Sequence, residues 1–498
     1  MKKIICTLAV ALALATGAAF TVAAAPAPSP KEAEIGTLCG PCINTIEDAV
    51  EYAVSDEAYE RAMAVRFLRK KGQEGLDALF AAYRSDIPES AISTDKIDPK
   101  LKERFERLRD VTNQVAQQFD AYTSGLFWHT DFDTAKATSK ESGKPILALR
   151  LLGKLTDEYS CANSRYFRTV LYANKDVSKF LKDNFVLYWS TERPVPKISI
   201  DFGDGRSLTC TITGNSAHFV LDAKGRPVDC IPGLYGPIAF ERAVGAPMKL
   251  VKALEGKDDA ERSRLVKLFH TARVAEIETA FAADVAAIRA DDKDFKAATP
   301  SETIKPEAGD AAFLGDVKYV DAKAAMRAAM AKSAVERPML RAFMRYDRAA
   351  LESGLDDALW AKIAERHMGE SMLDEGSLAL MRSEKPLPAE VASERAVGKM
   401  VIEDPFFKLV KRFQGSIALD TVHNEFQLHA RIHDWFVNGE AGDDFLKLNE
   451  RVYAELFLTP ASDPWLGLVA PEEYKALRDA GVKEAAKETP KAEVKDIK

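Results

Sequence analysis

Cysteine and histidine are scarce, with six and seven respectively in 498 residues. Metal or thiol chemistry in this chain therefore rests on a countable handful of side chains. A basic excess is lacking too, since the formal charge is −7, and with it the phosphate-neutralising surface on which nucleic-acid binding depends. No phosphate-cradling glycine loop, EF-type calcium loop or Ser/His/Asp order stands out. Beyond Ala25 no run is long and apolar enough to span a bilayer. What is there is an ordinary globular balance, 47% hydrophobic and 29% charged, in a chain long enough for about three domains.

The one long apolar run lies at the start. Lys2 and Lys3 precede Ile4 to Phe20, and Val22, Ala23, Ala24 and Ala25 supply the small residues a signal peptidase accepts. This pattern predicts a cleavable signal peptide over 1–24 and export to the periplasm or the extracellular space, with no membrane span in the mature chain. Cys6 leaves with the signal. With no acidic residue among the first 24, losing Lys2 and Lys3 takes the charge from −7 to −9.

A Pro/Ala-rich linker comes next, and helical periodicity then begins with Ile43, Ile46, Ala49 and Val50. The stretch AMAVRFLRKKGQEGLDALFAAY resembles one helical hairpin of the α-solenoid kind. The pattern changes near residue 126. A helix stopping at Gly143 leads through Lys144-Pro145 into ILALRLL, a continuous apolar run suited to a strand buried on both faces. FVLYWS at Phe185 to Ser190 reads as a second such strand. Two hairpins come after it, one turning at Gly203-Asp204-Gly205 and one at Lys224-Gly225, before Pro237 opens a helix. The expected organisation is a helical N-terminal region over 25–125, an α/β unit with a mixed sheet and flanking helices over 126–250, a helical C-terminal domain over 251–482, and a charged tail over 483–498 with the composition of a disordered segment.

That element order, with DFDTAKATSKESGKPILAL leading in, YANKDVSKFLKDNFVLYW leading out and FVLDAKGRPV near its end, resembles the thioredoxin fold, in the subgroup of exported thioredoxin-like domains. The likeness covers about a quarter of the chain. It implies a redox site after the central strand, at the start of the next helix, where the family carries Cys-x-x-Cys. The matching stretch here is Cys161-Ala162-Asn163-Ser164, with one thiol and one hydroxyl. Ser216, next to Asn215 in GNSAHF, stands in place of the family's cis-proline that shapes the surface holding a substrate backbone, and GKLTDEYS before Cys161 is longer than the family's loop. Two functions stay open at this point. In one, Cys161 is a thiolate at a helix N-terminus that captures protein or peptide thiols and disulfides, without a resolving partner at Ser164. In the other, the domain is a redox-inert binding scaffold and Cys161 packs at the helix start. Neither calls for a cofactor.

Cys39-Gly40-Pro41-Cys42 spells the best-known thioredoxin motif but stands after a linker and not a strand. It is read as a local structural disulfide, a redox pair or part of another site. Cys210 and Cys230 fall on strands and either pair or serve as small buried hydrophobes. In DTVHNEFQLHARIHDWF, Glu425, His429 and His433 are spaced four apart on one helical stripe, as two imidazoles and a carboxylate on a metal would be. The reading favoured by the flanking Phe426, Ile432 and Phe436 is a packed helix without metal. The export reading makes a direct prediction: intact mass and N-terminal sequencing of exported protein should show a chain beginning near Ala25, and a retained Met1 would refute it.

Overall fold

The computed structural model describes residues 43–83, 99–211, 214–292, 357–384, 405–457 and 459–462. The expected signal peptide, linker, tail and the Cys39/Cys42 pair lie outside them. Three helices begin the described chain: α1 (Ile46–Tyr52), α2 (Ala58–Lys71) and α3 (Gln73–Tyr83). Thr45 starts α1 through a capping box with Asp48, which satisfies two backbone N–H groups at once. Gly72, at φ +66, makes the turn between α2 and α3. With α4 (Pro99–Ala116) and α5 (Ala121–Ser124) these helices bury Leu68, Leu76, Leu79 and Leu108 in a core of their own. Arg69 donates to the Val115 and Trp128 carbonyls, and Gln73 bonds the backbone of Gly125 and Phe127, which ties α2 and α3 to the segment entering the α/β unit.

The α/β unit starts with α6 (Phe132–Ser142), capped by Asp131 and ended by Gly143 at φ +69. Pro145 then leads into β1 (Ile146–Leu152). After a loop come α7 (Ala162–Tyr166), a π turn over Phe167–Leu171, α8 (Lys175–Asn184) and β2 (Val186–Arg193). A hairpin of β3 (Lys197–Asp201) and β4 (Ser207–Thr211) forms its own two-stranded sheet. β5 (Ser216–Leu221), β6 (Pro227–Pro232) and α9 (Pro237–Ala253) complete the unit. The four-stranded sheet has the order β2-β1-β5-β6. β1 pairs parallel to β2, with Ile146 opposite Val186, and antiparallel to β5, with Leu151 opposite Ser216. The run Ile146 to Leu151, apolar but for the half-buried Arg150, is thus a central strand between β2 and β5.

Beyond α9 run α10 (Asp259–Asp291), α11 (Asp357–Arg366), α12 (Glu375–Glu384) and α13 (Pro405–His423). A π turn over Asn424–His429 leads into α14 (Ala430–Val437), and α15 (Phe445–Arg451) passes into a π turn over Val452–Leu456. Helices α10, α11 and α13 enclose a small core of their own around Ile288, Trp360, Ile363 and Val422. One hydrophobic core runs from Leu126 through the sheet to Ile432, Trp435, Leu448 and Tyr453. No helix among the described residues is long and apolar enough to cross a membrane.

An ionic knot joins the outer helices. His367 pairs with Asp284 at 2.8 Å and with Glu370 at 3.3 Å, and Arg242 pairs with Glu370 at 2.8 Å. The bond to Glu370 first, and that to Asp284 against the opposing effect of burial, raise His367 to about 9. The proton on His367 is therefore held more tightly folded than unfolded. Its stabilisation should be complete below about pH 6.5, decline as pH rises and vanish above about pH 9. After solvent screening it should amount to about 1 kcal/mol. Melting temperatures of the wild type and His367→Gln from pH 5.5 to 9.5 should converge at the alkaline end; a difference independent of pH would show that the ion pairs contribute nothing.

Candidate functional site

Cys161 is the N-cap of α7, and its own N–H donates to the Leu152 carbonyl at 3.3 Å, joining the helix start to the end of β1. The loop between them is pinned by the buried Arg168, which donates to the Glu158 carbonyl and pairs with Asp120. Sγ accepts the Ser164 N–H at 3.5 Å and lies 3.4 Å from Ser216 Oγ. A sulfur so placed receives the partial positive charge of a helix start. The Ser164 hydroxyl, offered by the sequence as the second member of the site, has no hydrogen-bond partner, so its contribution comes through its backbone. Ser160 Oγ and both amide atoms of Asn163 are likewise buried and unpartnered. Ser216 does meet the thiol.

Nothing of Cys161 is exposed. Tyr453, from the last π turn, donates its hydroxyl to the Asn215 carbonyl at 2.9 Å. Burial first, and the neighbouring Cys161 second, push this phenol well above its usual value. Asn215 donates to Thr459 Oγ1 at 3.1 Å, and Arg193, at the end of β2, donates to the Thr459 and Pro460 carbonyls. The carbonyl and side-chain amide nitrogen of Asn215, a residue the sequence reading offers to a substrate, are thus bonded to the chain itself. Two residues along β5, His218 points to the same face as Ser216. It is enclosed by Phe167, Tyr172 and Phe240, shares a 2.6 Å hydrogen bond with the Tyr172 hydroxyl, and is pushed down to about 3 by burial. It is a neutral core histidine.

Cys230 is a free, buried thiol on β6, while Cys210 lies on β4 of the other sheet. Burial pushes the Cys230 thiol up, with the charge of Asp229 adding to it.

The histidine stripe divides. Glu425 pairs with Arg242 at 2.8 Å and takes no part in a cluster with the imidazoles. The reason is the π turn over Asn424–His429, whose i→i+5 bonding departs from the 3.6-residue period that a four-apart spacing assumes. His429 and His433 remain together, with ring centroids 4.0 Å apart. They meet Asp229 of β6 and His270 of α10, two residues that sequence reasoning passed over. His429 Nε2 lies 3.0 Å from Asp229 Oδ1, and His433 Nδ1 lies 2.7 Å from His270 Nδ1. All four side chains are 99% or more buried. One signal for Asp229 was present: a carboxylate inside PVDCIP, a strand otherwise free of charge, must find a partner.

Compared with known proteins, the chain matches no family model, no curated protein and no solved structure.

Proposed function

We propose that this chain is an exported, thioredoxin-like binding scaffold in which the one thiol at the expected redox position is closed off by the C-terminal helical layer. The observation that carries the reading is the complete burial of Cys161 beneath a layer that also bonds Asn215 through Tyr453 and Thr459. Thiol exchange needs a thiolate and an open line of attack on a disulfide sulfur. The line is blocked here, and Ser164 offers no second sulfur to resolve an adduct. The partner class under this reading is a protein or peptide bound on an outer surface.

A second reading, mixed-disulfide capture at Cys161, is favoured by the Ser164 N–H aimed at Sγ and by the unpartnered polar atoms of Ser160, Asn163 and Ser164 around it. It requires the Tyr453–Asn215 contact to open first.

Alkylation separates the two. With the folded wild type at pH 7 to 9, peptide mapping should find Cys161 modified at least about tenfold more slowly than after unfolding, because reaction waits for local opening. Tyr453→Phe removes one hydrogen bond, costs about 1 kcal/mol and should speed the modification by at most about tenfold. Ser164→Cys should gain no disulfide reductase activity. Rapid native alkylation with an apparent pKa below about 8.5, abolished in Cys161→Ser, would overturn the scaffold in favour of capture.

A further inference from the structure

The cluster at β6 holds more lone pairs than protons. The Val228 carbonyl can only accept, so the nitrogen 2.9 Å from it, His270 Nε2, carries a hydrogen. With that hydrogen on Nε2, a neutral His270 ring presents a bare Nδ1. His270 Nδ1 is then a bare acceptor, and the donor across the 2.7 Å contact is His433 Nδ1. That leaves His433 Nε2 as a bare lone pair, and it has no partner. By the same reasoning Asp229 Oδ1 accepts from His429 Nε2–H and from the Cys230 N–H at 2.8 Å, while His429 Nδ1 is buried without a partner.

A buried carboxylate beside two imidazole nitrogens pressed to 2.7 Å, all sealed from water, is short of positive charge. We propose that Asp229, His270 and His433 ligate a divalent transition-metal ion, zinc by preference, and that His429 is a positioning residue that orients the Asp229 carboxylate. Asp229 and the two imidazoles offer ligand atoms that all lie within 4.8 Å of one another. His270 already shows the arrangement of a metal-bound imidazole, with its far N–H donated to a backbone carbonyl. The two Nδ1 atoms would separate from 2.7 Å to about 3.3 Å, the spacing of two nitrogens on a tetrahedral zinc at 2.0–2.1 Å. The proton now between them moves to His433 Nε2, so both rings stay neutral and no proton is lost.

The donor set is nitrogen and oxygen alone, because Cys230 comes directly after Asp229 and its side chain points to the opposite face of the strand. Three protein ligands leave the fourth tetrahedral position to the second Asp229 oxygen or a water, and the complete burial keeps that position from an outside substrate, which assigns the ion a structural role. Its ligands come from β6, α10 and α14, so the ion is taken up as those elements assemble. None of this depends on Cys161.

The test uses the full chain folded in the presence of zinc and dialysed against buffer. Elemental analysis should find about one zinc per chain, falling to essentially none in Asp229→Asn and His433→Gln but unchanged in His129→Gln. X-ray absorption at the zinc edge of the wild type should show imidazole and oxygen scattering without sulfur, which decides the matter even if the variants fail to fold. A chain that retains no zinc would overturn the proposal and leave an imidazolium as the counter-charge to Asp229. Sulfur in the coordination shell would overturn it as well, by assigning the ion to the cysteines.

Discussion

β6 is an edge strand with both faces buried, and that requirement shapes the C-terminal half of the molecule. An edge strand ordinarily faces water on at least one side, and its unpaired edge invites association. Here Val228 and Cys230 turn to one face while Asp229 and Ile231 turn to the other, and each face needs a cover. α9, α10 and the turn from α13 to α14 supply it. Those helices consequently share the core of the sheet, while α10, α11 and α13 also enclose a second, smaller cluster among themselves.

Burying apolar surface sets the strength of such a layer but not its orientation, because the hydrophobic effect has no direction. Direction comes from charged and polar contacts that tolerate one register only. Arg262 on α10 is buried between Asp443, 2.6 Å away, and the Pro227 carbonyl, 2.9 Å away. At the far edge, Glu192 pairs with Arg150 across the β1–β2 ladder and accepts from Asn449 of α15 at 2.7 Å. Each such contact adds little net stability once desolvation is subtracted, yet a shifted register would strand a buried charge at a cost of about 3 to 5 kcal/mol.

Much of the α/β unit was legible because its cues are local. Gly143 and Pro145 bracket a helix end and a strand start, ILALRLL and FVLYW can be buried only as strands covered on both faces, and Cys161 stands where a helix begins. The helical N- and C-terminal regions were legible from periodicity for the same reason. The π turns were not, because a hydrophobic pattern read at 3.6 residues per turn has no mark for one additional residue. That omission placed Glu425 beside His429. Asp229 and His270 were missed on different grounds: residues 41 positions apart in the chain meet only through packing that no local window contains.

The closed thiol and the buried histidine cluster are two ends of one docked layer. α14 carries His433 against Asp229, and α15, after a short connection, carries Tyr453 against Asn215. Between them Trp435 and Phe445 lie in the shared core, so neither end can lift without exposing apolar surface common to both. Lifting the stretch around Tyr453 alone gives up two hydrogen bonds to Asn215 and those from Arg193, roughly 0.5 to 1.5 kcal/mol each. Lifting α14 instead leaves the Asp229 carboxylate buried beside half its partners. The Tyr453 end is therefore the weaker closure. The polar contacts over Cys161 are thus the less costly of the two sets to break, and those of the cluster at β6 the more costly.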